Sequence, residues 1–120
     1  MIKYTTLVNE VGPNAREFLE EDMMVTFGDN APQELRPYCF LVEDSPLVDE
    51  IVVGDYLMLG EEAYLITGVG DQVNKNLKDL GHITMNFKGV VDSSMAGTLY
   101  LEQKAPVEVN AGTRITIESR

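Results

Sequence analysis

Tyr56-Leu57-Met58-Leu59-Gly60-Glu61-Glu62-Ala63-Tyr64-Leu65-Ile66 is the stretch on which the fold turns. Leu57 and Leu59 share one face, Gly60-Glu61-Glu62 turns the chain, and Tyr64 with Ile66 resumes the alternation, the pattern of a β-hairpin. The same period of two spreads outward in both directions. Ile2, Tyr4, Thr6 and Val8 share a face of a first strand. Met23, Val25 and Phe27 share another before the turn Gly28-Asp29-Asn30. Tyr38 to Val42 is apolar on both faces, as a strand covered on both sides would be. Ile83, Met85 and Phe87 follow, then Leu99 and Leu101, then Ile115 and Ile117.

About eight strands in so short a chain predict an all-β domain over residues 1–120, a mostly antiparallel small barrel or sandwich with one or two short helices. The alternation places Tyr4, Val25, Phe40, Leu57, Ile66, Leu77, Met85, Leu99 and Ile115 in the core. Two segments have helical spacing instead. Asp71 is placed to cap a helix over about residues 71–80, Val73, Leu77 and Leu80 line one side, and Gly81 occupies the C-terminal cap. Gly12-Pro13 opens a second, with Ala15, Phe18 and Leu19 on one side. Glu20, Glu21 and Asp22 oppose the dipole at its end and keep it short. Ile51–Leu59 faintly echoes Val109–Ile117, each with a glycine two to three residues ahead of an alternating strand. Chance and duplication both produce that pattern.

The chain has 120 residues, 44% of them hydrophobic and 24% charged, a composition that folds rather than stays disordered. No stretch approaches the roughly 20 apolar residues of a membrane span. The N-terminus shows no export signal, so a soluble cytoplasmic protein is expected. One cysteine, Cys39, excludes an internal disulfide and a cysteine-rich zinc module.

Charge narrows the partners. Twenty acids against nine bases give −11, and 14 of the acids with only 3 of the bases lie in residues 1–70. Such a chain repels phosphate backbones and anionic lipid, which argues against nucleic acid and direct membrane insertion. A basic protein surface, meeting those acids around an apolar patch near Tyr38–Val42, is the natural complement; simple solubility is the bland alternative.

The catalytic inventory is thin. His82 is the only histidine. No GxxxxGK loop occurs, and Gly68-Val69-Gly70 lacks the third glycine of a dinucleotide fingerprint. A serine hydrolase would need His82 with Ser45, Ser93, Ser94 or Ser119, none of which lies in a GxSxG elbow. The pairs Glu20/Glu21, Asp49/Glu50 and Glu61/Glu62 read as solvated turns. No metal and no cofactor are expected. Period two puts His82 with Thr84, Asn86 and Lys88 on the polar face of a strand. It directly follows a helix C-terminus, whose negative dipole favours imidazolium and disfavours phosphate, so a structural or surface role is expected. Cys39 reads as a small buried hydrophobe with no basic neighbour to lower its pKa.

Ala31-Pro32-Gln33-Glu34-Leu35, Tyr38-Cys39-Phe40-Leu41, Ala63 to Gly70 and Asn76 to Phe87 together resemble one family, and the likeness covers nearly the whole chain. It is the glucitol/sorbitol-specific IIA component of the bacterial phosphoenolpyruvate-dependent sugar phosphotransferase system. The resemblance implies a small cytoplasmic β-protein. Its partners would be the histidine phosphocarrier protein, which donates phosphoryl, and the IIB/IIC domains of a sugar permease, which receive it. It also implies an acceptor histidine immediately after the Tyr-Cys-Phe-hydrophobic stretch. That position is Val42 here, and an isopropyl group has no lone pair to offer phosphorus. Glu43 and Asp44 are no substitute for a phosphohistidine. His82 matches the family's second histidine, the one after glycine. Three readings follow: a IIA phosphocarrier, a non-phosphorylatable relative that binds partners, or a small barrel that binds a ligand. The missing lone pair predicts that phosphoryl does not pass through residue 42.

Overall fold

Alternating strands of this length close on themselves once enough of them twist in one direction. The computed structural model, which describes residues 1–90 and 95–120, shows that closure. In chain order the elements are β1 (Ile2–Val11), α1 (Ala15–Glu20), β2 (Met23–Phe27), β3 (Phe40–Val42), β4 (Tyr56–Leu59), β5 (Glu62–Val69), α2 (Val73–Leu80), β6 (Ile83–Asn86), β7 (Thr98–Leu101) and β8 (Arg114–Glu118). The barrel order is β1-β3-β2-β6-β7-β5-β4-β8, and β8 pairs back onto β1. Pairings are antiparallel except β2 with β3 and β6 with β7, which are parallel. Between barrel and sandwich, the barrel is the outcome.

The hairpin forms as expected, with Leu57 opposite Tyr64 and Leu59 opposite Glu62 across Gly60. The two echoed glycines, Gly54 and Gly112, both have positive φ, 98° and 93°. Each feeds one of two strands, β4 and β8, that lie side by side. The interior holds Tyr4, Phe40, Leu57, Ile66, Leu77, Met85, Leu99 and Ile115, all buried.

Three expectations need correction. Ile2 is 56% exposed, because the β1–β8 register slips between Ile2 and Tyr4, and Lys3 turns inward instead. Val25 belongs to the outer face of β2 with Phe27, where it packs on Ala31, Cys39 and Leu41, while Met24 points into the barrel. Both faces of β2 are covered, the outer one by Ala31, Cys39 and Leu41 and the inner one by the barrel core, so period two alone does not reveal which face is inside. Asp71 makes no cap. The residue ahead of α2 is Gln72, without a side-chain bond, whereas Gly81 ends the helix in the left-handed conformation (φ 64°) as expected.

The inward Lys3 finds a partner in the irregular segment between β3 and β4. Its Nζ donates to Asp55 Oδ2 and to the Glu50 carbonyl, both at 2.7 Å, and Asp55 Oδ2 accepts from Val52 N–H at 2.9 Å. Both side chains are almost fully buried. Desolvation offsets much of what such a pair contributes, but removing one partner strands the other charge in the interior. Asp55→Ala is therefore expected to lower stability by about 3–5 kcal/mol. The Lys3→Met/Asp55→Leu double variant should recover most of it. Urea midpoints of the two variants check this; equal losses in both would show that the charge is not the cause.

Candidate functional site

Gly28, just after β2, and Gly81, at the end of α2, are the local reason that a site exists. Gly28 N–H donates to Leu80 O at 2.8 Å. A Cβ on Gly28 would sit 2.7 Å from that oxygen, and one on Gly81 only 3.1 Å from Gly28 N. Absent side chains let the two backbones touch. Thr26 Oγ1 adds a bond to Gly81 O at 2.9 Å.

His82 follows at once and turns outward. Its Nδ1 lies 3.0 Å from Thr26 O, and its ring stacks on Phe27 with centroids 4.3 Å apart and planes 24° from parallel. A carbonyl oxygen only accepts, so Nδ1 carries the proton. In the neutral ring the lone pair is then on Nε2. The imidazole lines an apolar groove of about 310 Å³ with Phe18, Val25, Leu35, Tyr38 and Cys39. Cys39 is buried, and burial pushes its thiol pKa up, so it is no nucleophile.

Val42 lies on the other side of the wall. It is buried among inner-core residues including Tyr4, Leu77 and Ile83. The interior gap that Val42 lines with Thr6, Thr26 and Met85 has no room for a water molecule. Above it, beside the Gly28–Gly81 junction, opens a polar cleft of about 230 Å³ whose walls include Asp29, Glu43, Asp44 and Asp79. The carboxylates are felt inside. Burial pushes the Tyr4 phenol up to about 12, and Asp44 and Glu43 add to the rise. The structure thus separates Val42 from His82: one faces the interior beneath an acidic cleft, the other an apolar groove outside.

The expected polar-face placement of His82 holds only in part, because Phe27 and the groove surround it. No local pattern in the sequence signals this, because the ring meets Phe27 only once the end of β2 and the end of α2 are joined. The helix-end dipole is also weaker than its bare form. Leu80 O and Gly81 O accept the bonds described above, Leu77 O accepts from Gly81 N–H, and Asn76 O from His82 N–H. Of the serines considered earlier, Ser45 bonds Thr6 Oγ1 and Glu43 O, and Ser119 bonds Met1 O. Ser93 and Ser94 lie outside the described residues. Among the described residues no cluster of three histidine, cysteine or acidic side chains could hold a metal. No described helix is long and apolar enough to cross a membrane.

The class comes first from the fold. The chain superposes on the PTS system IIA component from Enterococcus faecalis V583 with a TM-score of 0.81 and 27% identity, over 92% of this chain and 96% of that one. The family model for the PTS system glucitol/sorbitol-specific IIA component matches residues 3–116. The glucitol/sorbitol-specific EIIA components of Shigella flexneri and Escherichia coli K12 are each 31% identical over 116 residues, 97% of this chain and 94% of theirs. The chain belongs to the glucitol/sorbitol-specific IIA family.

A histidine at position 42 has no room inside the closed wall. Val42→His is expected to destabilise the fold by about 1–3 kcal/mol, as overpacked cores do. Denaturant unfolding measures it; an unchanged midpoint would show that the wall opens readily at this point.

Proposed function

We propose that this chain works in the cytoplasm as a IIA phosphocarrier of a sugar phosphotransferase system. It takes phosphoryl from the histidine phosphocarrier protein and passes it to the IIB domain of a sugar permease, with His82 rather than residue 42 as the carrier. Family membership supports the role. The observation that carries the residue assignment is the 3.0 Å bond from His82 Nδ1–H to Thr26 O, which leaves the Nε2 lone pair unused. Among the described residues His82 makes no other side-chain hydrogen bond.

The step balances without a further reactant. The Nε2 lone pair attacks phosphorus as the donor's N–P bond breaks, and the donor imidazole keeps that electron pair. His82 becomes positively charged at the ring, with its proton still on Nδ1. The Thr26 carbonyl then accepts from a cationic donor, a bond that strengthens as charge develops. The Phe27 stack holds the ring plane throughout. Return transfer to a IIB domain reverses each of these changes.

One observation favours a second reading, a relative that binds partners without carrying phosphoryl. At the family's acceptor position stands the buried Val42, beneath a cleft of carboxylates that would repel a phosphoryl dianion. A ligand-binding barrel gains nothing from an interior this full.

Intact mass after incubation with enzyme I, the histidine phosphocarrier protein and phosphoenolpyruvate separates the readings. The expected result is a gain of one phosphoryl, lost in His82→Gln and kept in Val42→Leu, with the phosphorus on Nε2 by NMR. No gain in the unmodified chain leaves the binding relative as the function.

A further inference from the structure

The groove beside His82 is unpartnered and unusual for its surroundings. Leu35 and Tyr38 on its rim are 43% and 42% exposed, and Phe18 meets Tyr38 with ring centroids 6.0 Å apart. Around this apolar centre the chain is acidic. Residues 16–38 contain six acids and two bases. Glu17, Glu20 and Glu21 are exposed on and just after α1, which supplies Phe18; Glu34 is exposed next to Leu35, and Asp29 before it. None of these five takes part in an ion pair among the described residues. The two bases are committed elsewhere. Arg16 donates to Val109 O and Asn110 Oδ1, and the Arg36 guanidinium reaches the carbonyls of Asp29 and Ala31 at 3.5 Å. α1 ends with Glu20 in its last turn and no base there, a placement the helix dipole opposes.

We infer that this groove is a docking surface for a partner protein that presents an apolar side chain ringed by lysine and arginine. An apolar anchor would fill the space between Phe18, Leu35 and Tyr38, and the basic ring would meet the unpaired carboxylates. Apolar centre and charged rim divide the work as in other transient interfaces: the centre sets the dissociation rate, the rim steers encounter. The inference rests on the proposed function only for its probe, the histidine phosphocarrier protein, since transfer to His82 requires its donor to reach this groove. Docking at the groove does not itself require that phosphoryl move.

The experiment is calorimetric titration of the full chain with unphosphorylated histidine phosphocarrier protein at 50 mM and 500 mM salt, flanked by NMR mapping. Expected are affinity weaker by about tenfold at the higher salt, and shifts centred on Leu35, Tyr38 and His82. Tyr38→Ala and the charge reversal Glu17→Lys/Glu20→Lys should each weaken binding by about tenfold. Glu61→Lys, on the β4–β5 turn, should leave it unchanged. All these positions are exposed enough to spare the fold. Binding in this pattern without gain of phosphoryl would keep the docking surface and discard the carrier. The inference is overturned by no binding at low salt, by affinity flat in salt, or by shifts confined to the Asp44–Asp79 cleft. A second copy of this chain found in the groove, seen as a dimer that Tyr38→Ala dissociates, overturns it too.

Discussion

Contact between Gly28 and Gly81 governs the geometry of one end of this barrel. The Gly28 N–H to Leu80 O bond ties the end of β2 to the end of α2, and no larger residue permits the approach. From that point the chain enters β6 in register with β2, Thr26 opposite Ile83. The outward turn of His82, its bond to Thr26 O and its stack on Phe27 all follow from this junction. So does the tight packing around Val42, whose Cγ2 lies 3.5 Å from where a Cβ on Gly81 would stand. One backbone contact therefore defines both the groove outside and the filled wall inside.

Charge is organised on two scales. In the interior it is paired and few in number, as the Lys3–Asp55 pair shows by anchoring the β3–β4 segment to β1. At the surface acids predominate, above all in the half of the chain that forms α1 and the groove rim. A protein with so much unbalanced charge tolerates self-repulsion in the folded state, which a cationic partner relieves.

Much of the fold was legible because barrels print a period of two on their strands. Leu57, Ile66, Met85 and Leu99 point inward for that reason alone. Period two is ambiguous where a second layer covers the outside. Val25 and Met24 are both apolar, and only the segment that brings Ala31, Cys39 and Leu41 over Val25 decides between them. At Ile2 the strand pattern continues past a register slip, which leaves no mark in composition. Closure rests on the pairing of β1 with β8, residues at opposite ends of the chain, to which a local pattern is blind. Of the site, Val42 was readable as a departure from its family. That His82 faces an apolar groove was not, since it depends on three segments distant in sequence meeting at one ring.

The pairing of first and last strands also says something about how the molecule is made. Thr5 lies opposite Thr116, and the N-terminal amino group donates to Ser119 O at 3.2 Å. During synthesis β1 emerges first and its β8 edge stays bare until β8 itself has left the ribosome. A chain truncated before β8 leaves open edges on both β1 and β4, which are the two strands it joins. Completion of the barrel thus waits on β8, and chains that lack it expose the strand edges that drive aggregation.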